Sequence, residues 1–171
     1  MRRFSLFVIM LTLAFPAAAW AQSKAASKPD FSGTWTLNAE KSDPPPARGG
    51  GAGGGRGGGM GAGMGGPVTI KQTASTLTIE STGRGGQSMT ATYNLDGSES
   101  TNQMMGRGGP SEAKSKAHWD GSKLVIETTR DMGGSPVTST ETRSLSADGK
   151  EMTVETTFNG NTRKTVYTKG M

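Results

Sequence analysis

The sequence predicts an all-β protein, an antiparallel up-and-down meander closed into a barrel of about eight to ten strands. From Ala117 to Lys169, short β-branched runs alternate with Asp-Gly, Gly-Gly and Asn-Gly turns. Such turns supply the positive φ that tight hairpins need, and β-branched residues favour the strands between them. No segment shows sustained helical periodicity. Large apolar residues are sparse, and many strand positions are Thr, Ser, Glu or Lys on both faces. A two-sheet sandwich needs one fully apolar face per sheet, whereas a closed barrel with a partly polar cavity tolerates mixed lining and removes exposed edges.

At the start of the chain, Met1-Arg2-Arg3 precedes an apolar run from Phe4 to Ala14, and Ala19-Trp20-Ala21 places small residues at the positions a signal peptidase reads. Residues 1–21 therefore read as a secretory signal peptide, which predicts a secreted or periplasmic protein. The run is shorter than the roughly 20 residues a spanning helix needs, so the mature chain is not expected to span a membrane. Residues 22–29 read as a polar linker, and residues 30–171 as a single β-barrel domain. Removing the signal leaves 17 basic side chains against 14 acidic ones, about +3, which gives no case for a nucleic-acid partner. The chain has no Cys; disulfides, thiolate metal sites and Cys nucleophiles are excluded.

The strands follow in order. Asp30 to Asn38 alternates apolar and polar residues, with Phe31, Gly33, Trp35 and Leu37 on one face, and proline at 44–46 stops it because proline cannot donate to a ladder. From Arg48 to Gly66, 13 of 19 residues are Gly; this stretch reads as a disordered insertion after the first strand, since glycine has no side chain to bury. Later strands are expected over about 67–73, 76–82, 87–95, 98–104, 111–119, 122–130, 136–145, 150–158 and 161–169. Tight turns at 73–75, 96–97, 120–121 and 147–149 fall at one end, and the Gly-rich connections, joined by Asn159-Gly160, fall at the other. The result is a tube with one laced end and one loose rim, as a ligand entrance requires.

The segment Phe31-Ser32-Gly33-Thr34-Trp35-Thr36-Leu37 resembles the first strand of the calycin superfamily, in which Gly-x-Trp marks lipocalins and Phe-x-Gly-x-Trp opens the fatty-acid-binding proteins. The runs Trp119 to Val125, Arg143-Ser144-Leu145, Asp148-Gly149-Lys150 and Tyr167-Thr168-Lys169 resemble the last strands of the ten-stranded fatty-acid-binding type. The chain also resembles small exported bacterial proteins that begin with this strand. The resemblance implies that Gly33 and Trp35 are structural residues at the closed end. It also implies that Arg143 and Tyr167 hold a ligand carboxylate. Thr165 stands where that family has a second Arg, and Arg163, two residues back on the same face, is the expected substitute. Glu141 shares a face with Arg143 and is expected to pair with it. The family's helical lid lies where this chain has its Gly-rich tract.

Little here supports catalysis. His118 is the only His and adjoins a turn; no carboxylate pair or His/Asp/Glu cluster has catalytic or metal-binding spacing. The Gly-rich loops lack the Lys-Ser/Thr ending of a phosphate loop, and the Arg-Gly-Gly triplets lack the aromatics of an RNA-binding segment. No cofactor and no enzymatic activity is expected. Met104, Met105 and Met132 fall at the loose rim, either as adaptable apolar contacts for a ligand or simply as exposed side chains in mobile loops. The expected function is a secreted or periplasmic lipocalin-like binding protein for a small apolar or amphipathic, anionic ligand. The alternative is a structural or partner-binding β-domain of the cell envelope.

Overall fold

The protein is described by a computed structural model covering residues 28–44, 66–82, 86, 88–106, 109–131 and 134–170, with the backbone alone at 105, 106, 109 and 110. The signal peptide, most of the linker and all of the Gly-rich tract except Gly66 lie outside these residues.

The strands are β1 (Gly33–Asn38), β2 (Val68–Gln72), β3 (Thr76–Thr82), β4 (Ser88–Asn94), β5 (Glu99–Gly106), β6 (Gly109–Asp120), β7 (Lys123–Asp131), β8 (Pro136–Leu145), β9 (Glu151–Phe158) and β10 (Asn161–Lys169). They form one antiparallel sheet in the order β4-β3-β2-β1-β10-β9-β8-β7-β6-β5. Every consecutive pair is laddered except β4 and β5, and β1 pairs with β10 to join the first strand of the meander to the last. This is the expected meander curled into a nearly closed barrel.

The remaining seam runs between β4 and β5, where a side chain takes the place of a ladder rung. Thr92 N donates to Asn102 Oδ1 at 2.8 Å, and Asn102 Nδ2 donates to the Thr92 carbonyl at 3.0 Å. The amide thus satisfies the two backbone groups that an edge strand would leave open.

Turn chemistry follows the sequence with one correction. Asn159 and Gly160 both have positive φ, 48° and 75°, and Phe158 faces Asn161, which is the two-residue type I′ hairpin expected of Asn-Gly. At the Asp-Gly sites only the glycine has positive φ. Asp120 belongs to the ladder opposite Lys123, so the two-residue loop there is Gly121-Ser122, with glycine in the first central position as a type II′ turn requires. Asp96 and Asp148 instead cap their loops: Asp96 Oδ1 accepts from Ser98 N at 2.9 Å, and Asp148 Oδ1 from Lys150 N at 3.1 Å. An aspartate that bonds its own turn has no need of the left-handed region.

The laced end is plugged. Trp35 is fully buried, and its Nε1 donates to the Phe31 carbonyl at 2.8 Å. Phe31 stacks on Trp119, with ring centroids 6.1 Å apart. Gln72 clamps the entering chain by accepting from Phe31 N and donating to the Pro29 carbonyl, both at 3.0 Å. Gly33 has φ 135°, and a Cβ there would lie 2.7 Å from Lys169 Cε. Its bare backbone lets Lys169 cross to the Trp35 ring, with Nζ 5.4 Å from the centroid. Around this plug pack Val68, Ile70, Leu77, Ile79, Leu124, Ile126, Met152 and Val154.

The seam gives the first testable expectation. Asn102→Val removes both amide bonds and should lower the unfolding free energy by about 1–3 kcal/mol, with faster hydrogen exchange at Thr92 N. An unchanged Thr92 exchange rate would show that other contacts hold the seam.

Candidate functional site

The inward face follows from period-two alternation. On β8 it carries Val137, Ser139, Glu141, Arg143 and Leu145, and on β10 it carries Arg163, Thr165 and Tyr167. Cross-strand register sets these in rows. Ile126, Glu141, Thr156 and Arg163 form one row from β7 to β10; Leu124, Arg143, Val154 and Thr165 form the row beneath it.

Glu141 and Arg143 are two residues apart on one strand, so both turn inward and meet. Arg143 Nε and Nη2 donate to Glu141 Oε1 at 2.6 and 2.5 Å, and Arg143 Nη1 lies 3.8 Å from Met152 Sδ. Arg143 is 2% exposed and Glu141 6%. Two charges this deep persist because each neutralises the other; alone, either would carry a large desolvation penalty.

Both tyrosines of the chain lie near this pair. Burial pushes the Tyr167 hydroxyl up to about 12, with Arg143 pulling down, Glu141 pushing up and Arg163 pulling down. Burial likewise raises Tyr93, with Glu141 raising and Arg143 lowering it. Tyr93 arrives from β4, across the barrel from β8, so the pair reaches the centre of the interior.

Above the pair the interior becomes polar and more open. Thr128, Arg130, Ser139, Phe158 and Arg163 are inward-facing and half-buried. Ser115 and Thr128 share a hydrogen bond of 2.9 Å, and the Arg130 guanidinium lies 5.8 Å from the centroid of the Phe158 ring. Arg163 Nη2 is 3.5 Å from the Asp43 carbonyl, while its Nε is buried with no hydrogen-bond partner. Thr156 Oγ1, directly across the ladder, is likewise buried and unpartnered.

The structure therefore brings Arg143, Tyr167 and Arg163 to one inward surface. Met104 is half-buried on β5, while Met132 and the side chain of Met105 lie outside the described residues. His118 is exposed on the outer face of β6. Among the described residues no three His, Asp or Glu side chains cluster as metal ligands, and no helix is long and apolar enough to cross a membrane. Sequence reasoning missed Thr156 and Tyr93 as members of the site. The signal for Thr156 was its alternation with Met152 and Val154; Tyr93 needed the closed barrel to bring β4 opposite β8.

With this geometry in view, solved structures supply the comparison. The fatty acid transporter REP1-NXSQ superposes with a TM-score of 0.53 at 13% identity, over 82% of this chain and 96% of that one. The wild-type fluorescent protein UnaG gives 0.52 at 18%, over 82% and 97%. Human cRBP IV gives 0.51 at 16%, over 83% and 99%. The fold is a calycin-like barrel. No protein-family model matches the chain, and no curated protein matches it in sequence.

Two measurements test the polar layer of this barrel. Arg143→Met leaves the Glu141 carboxylate buried and alone, and should cost about 3–5 kcal/mol, whereas the double variant Glu141→Leu/Arg143→Met should return close to wild-type stability. Equal losses in the single and double variants would mean that the pair's charges are not what the packing depends on. The tyrosines give a pH test. A phenol whose pKa is raised by folding contributes stability that is present below pH 10, its unfolded value, and is lost as pH rises through the folded value. Stability should thus fall from about pH 10 towards 12, with tyrosinate absorbance appearing together with unfolding. Tyrosinate titrating near pH 10 in the folded protein would contradict the burial of both hydroxyls.

Proposed function

We propose that this protein is a secreted or periplasmic, non-enzymatic carrier of a small anionic ligand with an apolar body. One observation carries the reading. Among the described residues, the inward face holds the guanidinium groups of Arg143 and Arg163 against the single carboxylate of Glu141, which Arg143 already meets. An inward face with a surplus of positive charge favours an anion as guest. The half-buried side chains at the mouth provide the entrance, and a fatty acid transporter with the same fold supports a binding role. Export rests on the N-terminal sequence, with its basic start, short apolar run and Ala19-Trp20-Ala21.

Fluorescent displacement on the mature chain, comparing decanoate with methyl decanoate, tests the reading. A charge-assisted hydrogen bond is worth about 1.5–3 kcal/mol, so the ester should bind roughly ten- to a hundredfold more weakly than the acid. Equal binding of both would remove the anion from the reading, and binding of neither would remove the carrier.

A further inference from the structure

The interior is full well above the plug. Phe31, Trp35, Leu77, Leu124 and Met152 have no accessible surface, and around the ion pair Arg143, Tyr167, Tyr93 and Thr156 keep 5% or less. Thr156 Oγ1 and Arg163 Nε, in the row above Arg143, are buried without a partner. A side chain lining a void large enough for water keeps accessible surface on that void, so no such space adjoins these two atoms. Packing of this density leaves no room for a guest at the polar layer. An apolar body of several carbons either stays at the mouth or moves a wall.

One wall can move without breaking a ladder. β4 is held to β3 by seven residue pairs and β5 to β6 by eight, but no ladder joins β4 to β5. Two side chains link these strands: the Asn94 amide donates to the Glu99 carbonyl at 3.2 Å beside the turn, and the Asn102 amide bonds Thr92. Counting up both strands from Asn94 and Glu99 sets Met89 level with Met104. Met89 alternates with buried Ala91 and Tyr93, and Met104 with buried Asn102 and Ser100, so both face inward. Both are half-buried, unlike the sealed atoms of β9 and β10 across the barrel. Their unbranched thioether side chains repack readily.

We infer that the barrel takes its guest by parting β4 from β5 from the mouth downward: Asn102 releases Thr92, and the apolar body of the anion lies between Met89 and Met104. The inference rests on the carrier reading and adds where the body lies and which wall yields to it. The mouth admits the ligand, and the seam makes the space. The β3–β4 and β5–β6 hairpins keep their ladders throughout, so the opening breaks only the two side-chain hydrogen bonds of Asn102. Parting the strands brings the freed amide and the Thr92 backbone to water, which spares them the penalty of a buried unpaired group. The open seam is thus a minor state of the empty barrel that the ligand makes dominant.

Pinning the seam tests this on the full mature chain. Thr90 and Gln103 are exposed and level across the seam by the same count, and the chain has no Cys. Thr90→Cys/Gln103→Cys therefore offers two thiols to a short bismaleimide and leaves the inward face untouched. Decanoate displacing anilinonaphthalene sulfonate is measured on the linked protein and on the same variant capped with N-ethylmaleimide. Linking should weaken decanoate by roughly tenfold or more, since the binding-competent state is no longer populated. In the wild-type protein, hydrogen exchange at Thr92 N should quicken by roughly tenfold or more once decanoate is bound, because its acceptor has left. A guest held at the mouth alone would leave that amide as protected as before. If linking changes nothing, or if Thr92 N stays protected while decanoate binds, the inference is overturned and the carrier reading stands. If wild-type protein binds neither the sulfonate nor decanoate, the carrier reading fails and this inference fails with it.

Discussion

Closure of one sheet on itself is the constraint on which everything else in this protein depends. A chain with 32% hydrophobic residues cannot fill two apolar faces, and a barrel asks for only one interior. The β1–β10 ladder joins the two ends of the meander, and the Asn102 amide spans the one place where the ladder lapses. Without closure, Tyr93 on β4 would not face β8, and the Glu141–Arg143 pair would be a polar defect on an open sheet. Closure makes that pair an internal layer. It separates a packed half, built around Trp35 and Phe31, from a polar half that meets the solvent.

The outer surface shows how so small a core suffices. Thr78 and Thr92, Thr129 and Thr138, and Thr157 and Thr162 bond hydroxyl to hydroxyl across neighbouring strands at 3.3, 2.9 and 2.8 Å. β-branched side chains are stiff at χ1 and suit the pleated surface, so each pair adds a modest local stabilisation that needs no burial. The threonine-rich sequence stiffens the wall from outside. Interior positions are thereby left available to polar side chains, Arg143, Glu141, Thr156 and Arg163 among them.

What could be read in the sequence is what depends on local chemistry. Strand positions follow from period-two alternation and Gly-containing turns, so all ten strands were legible within a few residues, as was the Gly33-x-Trp35 element. The shared face of Glu141 and Arg143 was legible for the same reason. The turn types were only partly so, because an aspartate that caps its own loop looks the same in sequence as one that enters the left-handed region. The juxtaposition of Thr156 with Arg163 depends on the register of β9 against β10, which a two-residue turn fixes only once its type is known. The approach of Tyr93 depends on closure, a property of the whole sheet. Gly33 carries a meaning that no local reading supplies, since the side chain that needs its missing Cβ, Lys169, comes from the far end of the chain.

The same geometry explains why the fold accommodates a long connection after its first strand. Beyond Asn38 the chain continues beside β10: Val166 N donates to Ser42 Oγ at 2.9 Å, Asp43 N to the Lys164 carbonyl at 2.9 Å, and Lys164 N to Asp43 Oδ2 at 2.6 Å. This holds Pro44 at the mouth, next to Arg163. The chain re-enters at Gly66, and Val68 pairs with Ser81 near the same rim. Both attachment points are thus fixed by described contacts at one end of the barrel. The entropy of closing a loop grows only with the logarithm of its length, so the number of residues joining these points weighs little on stability. The laced end has no such latitude, because its turns are two to five residues long and its plug needs Phe31, Trp35 and Gly33 in their places. The barrel is thus most constrained where it is packed, at the end that Phe31 and Trp35 fill.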